Sequence, residues 1–249
     1  MFGTKHLIGL LVSFISITLA LVLSLIFIKK EKTKLWFLRG LIISLWTLEF
    51  VKYVMLLAQD GHIGYGNFPL QLCSIPLYVF GVAVFGRTKA VSFAKATSFF
   101  LFLPGLITII YPSNVLFAEV PWSENYFLNF SMISFVYHSI MIFFGLYIIT
   151  SGFYKPKGLD FVKIILVMGG FAVLSILLNN LIDGASYMML GVPYGMPALF
   201  ADLYYNVNPA VYAIVLIFVG FTVIFLIYLY WLIRDILRKK KTTTAEGSN

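Results

Sequence analysis

The two side chains of this sequence best suited to covalent chemistry are a thiol and an imidazole. Cys73 is the only cysteine in 249 residues, and His138 is the one histidine that falls deep inside an apolar run. A thiol attacks a carbonyl as its thiolate, and burial disfavours that charge, so a nucleophilic cysteine in an apolar setting needs a base beside it. His138 is the candidate. A lone cysteine excludes an internal disulfide, no Cys or His partner stands at ligand spacing for a metal, and no cofactor is expected. Inert packing is the plainer reading of a single cysteine in an apolar helix.

Further polar groups cluster around this pair. Ser131, Ser134 and His138 follow steps of three and four, which stacks them on one helix face, and Ser175, Asn179 and Asp183 repeat the pattern in steps of four. Such groups either hydrogen-bond between helices or line a wetted cavity. Glu49 and Lys52 stand three apart, a spacing that lets the two charges neutralise each other; the alternative is that Glu49 orients His138, as carboxylates do for catalytic imidazoles. Gln71 lies two residues before Cys73. Asn179 and Asn180 are candidate donors to an oxyanion.

Positioning these groups is the task of seven apolar runs: Leu7 to Ile28, Leu35 to Leu57, Phe68 to Phe85, Val91 to Ile110, Phe127 to Ile149, Phe161 to Ile182 and Ala210 to Ile233. Most are near the ~20 residues that cross a hydrocarbon core. Their apolar positions are consecutive rather than alternating, which predicts helices and not a barrel. With 61% hydrophobic and 11% charged residues, the chain has too little polar surface for a soluble protein of its length. The expected fold is all-α: seven transmembrane helices in one polytopic domain over residues 1–249, closing on a disordered tail at 242–249.

Sixteen of the eighteen Lys and Arg fall in the connections on one side, at 29–39, 87–95, 155–163 and 234–241. The positive-inside rule then puts the N-terminus outside and the C-terminus in the cytoplasm of a multi-pass cell-membrane protein. The net charge of +8 therefore reports topology and acidic headgroups, and predicts no nucleic-acid partner. In this orientation Glu49, Lys52, Gln71, His138, Asn179, Asn180 and Asp183 share the outward half, as expected of a cavity opening to the outside. Pro69 and Pro76 flank Cys73 and predict a third span that is kinked or only partly helical, with Pro76 freeing the carbonyl of Leu72. The tyrosine-rich connection from Gly184 to Pro209 is long; it folds over the cavity or anchors at the headgroups.

The segments Phe68 to Cys73, Phe102 to Gly105, Tyr111-Pro112, the His138-Ser139 that follows Phe135-Val136-Tyr137, Gly184 to Met188, Asn208-Pro209 and Tyr212 together resemble the YwaF-type integral membrane family. That family is similar to transmembrane acyltransferases of ether phospholipids that use a Cys and a His. The resemblance implies Cys73 as nucleophile and His138 as base, acting on membrane phospholipids or lysolipids. Gln71 stands where that family has His, and Ser186 where it has Asn; Gln keeps hydrogen bonding but exchanges no proton near neutral pH. The competing expectation is a transporter or lipid-binding protein without covalent chemistry, in which Glu49, Lys52, His138 and Asp183 handle a solute or proton.

Overall fold

A computed structural model describes residues 4–65, 68–111, 130–182, 185–191 and 198–246. Among them the chain is helical and contains no strand. The helices are α1 (Thr4–Phe27), α2 (Glu31–Asp60), α3 (Ile75–Phe85), α4 (Ala90–Phe100), α5 (Phe102–Ile110), α6 (Phe130–Thr150), α7 (Asp160–Leu181), α8 (Ala198–Asp202) and α9 (Pro209–Glu246), with a 3-10 turn at Tyr187–Met189 and a π turn at Leu203–Val207. Among the described residues, six segments are long and apolar enough to cross a membrane: His6–Phe27, Glu31–Ala58, Ala90–Ile110, Met132–Thr150, Asp160–Leu181 and Pro209–Arg238.

The third predicted span is the exception. Only its second half is regular helix, the 11 residues of α3, which rise roughly 16 Å and fall short of a hydrocarbon core. Residues 68–74 form turns. Pro76 lies in the first turn of α3, where a missing N–H costs nothing, so it starts the helix instead of kinking one. The fourth predicted span is two helices in line, α4 and α5, that break at Leu101. At its other end the chain stays helical through Glu246, where the sequence predicts a disordered tail from Thr242.

Helix α6 is the hub of the bundle and packs on α1, α2, α4 and α5. Its side chains Phe135, Tyr137, Met141, Ile142, Phe143, Phe144, Tyr147 and Ile148 are buried, and Phe80 of α3 stacks on Phe144 at 3.9 Å between ring centroids. Two glycines allow this closeness. A Cβ on Gly145 would lie 2.7 Å from the Cβ of Phe102, at the α4–α5 break, and one on Gly105 would lie 3.2 Å from Ile142 and 3.3 Å from the His138 carbonyl. The Phe102-Leu103-Pro104-Gly105 motif is thus the seat of α5 against the His138 level of α6. Helix α1 behaves oppositely: Leu7, Ile8, Leu11, Ile15, Leu19 and Phe27 are all exposed, the face of a helix whose solvent is lipid.

Candidate functional site

A cavity of about 1150 Å³ opens between α2, the 68–74 turns, α5, α6, α7 and α9. Six of the predicted residues line it: Glu49, Lys52, Gln71, Cys73, Ser134 and His138. Cys73, carried on the 68–74 turns, and His138 of α6 both line this cavity. The neighbour of His138 in the chain locks this arrangement, for the Tyr137 hydroxyl donates to the Cys73 carbonyl at 3.1 Å. Trp46 of α2 holds the other side of the segment by donating from Nε1 to the Leu77 carbonyl at 3.0 Å.

The geometry of His138 fixes its tautomer. Nδ1 lies 2.7 Å from the Ser134 carbonyl, which only accepts, so Nδ1 carries the proton; the Ser134 hydroxyl is a second contact at 3.2 Å. Nε2 is therefore left with its lone pair, and it is buried without a hydrogen-bond partner. A buried imidazole nitrogen normally finds a donor, so an unsatisfied one in a cavity-lining residue is a candidate for function. Ser134 orients the ring. Glu49 does not: its partner is Lys52, in an ion pair on the cavity wall, with the carboxylate 12% and the ammonium 25% exposed. Lys52 also sits over the Tyr53 ring, 4.8 Å from its centroid.

Two predicted residues, Asn179 and Asn180, do not line the cavity. Asn179 clamps the backbone of Tyr187, accepting from its N–H at 2.7 Å and donating to its carbonyl at 3.2 Å. Asn180 is exposed and donates back to Ile176 of its own helix at 2.8 Å. Their amides are spent on structure, which removes them as oxyanion donors. Asp183 lies outside the described residues, as do Gly184 and Tyr194, and the side chain of Ser131 is likewise undescribed. Ser175 is fully buried, and its hydroxyl has no partner.

Residues 185–191 roof the cavity through Met188, Met189 and Leu190. Besides the Asn179 clamp, Gln71 donates to the Ser186 carbonyl at 3.0 Å, the Tyr212 hydroxyl to the Met189 carbonyl at 2.6 Å, and the Tyr187 hydroxyl to the Tyr65 carbonyl at 2.9 Å. Tyr187 is accordingly buried and not a headgroup anchor. Met188 and Met189 take φ of +53° and +58°, a left-handed backbone that costs a non-glycine residue on the order of 1 kcal/mol or more and persists only where the surroundings enforce it. Sequence reasoning missed Tyr137 and the two methionines. A tyrosine hydroxyl in an apolar run, which must find a partner when buried, was the available signal for Tyr137.

A family-wide match runs over residues 1–231 and is to the TMEM164 family. The chain belongs to that family. It is a multi-pass membrane protein with six candidate transmembrane helices. The match replaces the YwaF-type assignment: short segments scattered between Phe68 and Tyr212 carried that resemblance, and a continuous match over residues 1–231 outweighs them. Comparison with curated proteins and with solved structures returns no match.

Proposed function

We propose that this protein is a membrane-embedded lipid acyltransferase or acyl hydrolase, with Cys73 as nucleophile and His138 as general base and then acid. The observation that carries the reading is the lone-pair Nε2 of His138, buried and unpartnered, in the wall of the cavity that Cys73 also lines. In the first step Nε2 takes the thiol proton as sulfur attacks the ester carbonyl; the carbon–oxygen bond of the ester then breaks, the leaving alkoxide takes the proton back from Nε2, and a thioester remains on Cys73. In the second step a lysolipid hydroxyl or water gives its proton to Nε2, attacks the thioester and releases the thiol. Lys52, the one cation among the lining residues, supports the oxyanion in place of the two asparagines.

The charge pattern of the connections supports an N-outside, C-cytoplasmic orientation in the cell membrane, with the 68–85 segment as a seventh, partly helical span. The site then faces the outer leaflet and draws phospholipid and lysolipid from it.

The test is turnover of labelled phospholipid with lysolipid by the purified protein in micelles. The expected result is an acyl-thioester on Cys73, detected by mass spectrometry of the intact protein, and loss of turnover in Cys73→Ala and His138→Ala. Variants that turn over like the parent would overturn the assignment. The Glu49–Lys52 pair on the cavity wall favours one other reading, non-covalent binding or transport of a polar solute; flux into proteoliposomes with an unreactive Cys73 would establish it.

A further inference from the structure

The cavity is two-faced. Its charged and most polar groups, among them Glu49, Lys52, Gln71, Cys73 and His138, belong to α2, the 68–74 turns and α6, with Thr108 on α5, whereas α7 and α9 contribute only apolar side chains and Gly220. Along α9 this apolar wall runs from Leu216 to Ile224, a descent of roughly 12 Å. It stops at three buried side chains, Phe100, Met168 and Ile224, which are 6%, 5% and 2% exposed and belong to the packed core. An apolar wall in a cavity that a thiol also lines, ending on buried core side chains, suits a hydrocarbon chain whose carbonyl lies at the thiol.

From this we infer that the α9 wall is a length gauge for the acyl chain, with Phe100, Met168 and Ile224 as its end stop. The inference rests on the acyl-transfer reading for the orientation of the chain, and adds which chains the site accepts. Chains that reach the stop gain burial with every methylene, each worth roughly fourfold in affinity. Longer chains must fold back or leave apolar surface unburied. Gly220 marks a point part-way down: it lines the slot, and a Cβ placed on it would meet nothing within 4 Å. A large side chain there fills the slot about one helical turn above the stop, roughly 6 Å.

The experiment is binding of a mixture of lysophosphatidylcholines of graded acyl length to the detergent-purified full chain, read by native mass spectrometry of the bound lipid. The parent is expected to show one preferred length. Gly220→Phe should move that preference to shorter chains, with long chains depleted by more than about tenfold if two or more methylenes are excluded; Ile224→Phe should move it less, and Ile224→Ala should move it to longer chains. A parent that binds all lengths alike overturns the inference whatever the variants do. So does an unchanged length profile in variants that unfold as cooperatively as the parent. The readout needs no turnover: length selection without any thioester would leave the gauge standing and remove the chemistry, and a thioester without length selection would do the reverse.

Discussion

The two ends of the bundle are both polar, yet they treat their polar groups differently. At the lysine-rich end the buried carboxylate of Asp160 accepts from the Tyr154 hydroxyl, from the Lys157 N–H at 2.9 Å and from Lys163 at 2.6 Å. Next to it Asp235 accepts from the Gly158 N–H at 2.8 Å and pairs with Arg234, which also donates to the Pro156 carbonyl at 3.1 Å. Burial, followed by the negative charges around it, pushes the Tyr154 phenol far above its usual range, so it stays a donor. These bonds fasten the 151–159 connection to α7 and α9. At the Cys73 end Glu49 and Lys52 pair with each other and several bonds hold backbone in place, but His138 Nε2 is left buried with no partner. Saturation marks a polar cluster as structural, and an open valence beside a cavity marks it as a site.

That contrast can be broken most forcefully by exchanging what is measured. His138→Ala is expected to lower turnover by about 10² to 10⁴, with a smaller cost in stability, on the order of 1 kcal/mol, for the lost Nδ1 bond to the Ser134 carbonyl. Asp160→Ala should do the opposite, destabilising the fold by roughly 3 kcal/mol as its donors lose their acceptor, with little effect on turnover per folded molecule; thermal unfolding in micelles beside a turnover assay separates the two. If Asp160→Ala silences the chemistry in fully folded protein, the division between the two ends fails.

Smaller effects sharpen it. Asn179→Ala removes both bonds to Tyr187 and should cost on the order of 2 kcal/mol, with hydrogen exchange accelerated at residues 185–191. Tyr137→Phe frees the Cys73 carbonyl at a cost of about 1 kcal/mol; turnover should fall with KM nearly unchanged, since the thiol and not the substrate loses its support. Asn180→Ala, next to Asn179 but bonded only to its own helix, should stay within about 0.5 kcal/mol of the parent and leave turnover alone.

Apolar runs reveal where helices lie: four of the seven run within a few residues of the observed α1, α2, α6 and α7, and a fifth starts one residue into α9, which continues past its end to Glu246. They are silent about what happens inside a run. Residues 68–74 and 75–85 read as one apolar run, and the two prolines, with Gln71, hint that the first part is turns. The α4–α5 break falls at Leu101, with no glycine or proline at the break itself and Pro104 three residues beyond. Ser134 and His138 were legible as one face because a helix has a fixed period. Asn179 was misread because its partner is the backbone of a loop, which no spacing along α7 can indicate. Glu49 was legible as the partner of Lys52, and its alternative role was excluded only by seeing both ring nitrogens of His138.

Gly145 joins folding to reactivity in a way its composition conceals. It lies seven residues from His138 along the same helix, roughly 10 Å, and touches nothing in the cavity; its hydrogen faces Phe102 across the α4–α5 junction. A single methyl at this place would wedge the two helices apart and shift the wall that carries His138, from a position no ligand ever meets. On the acyl-transfer reading, how tightly two hydrocarbon-clad rods lie together would then bear on the rate.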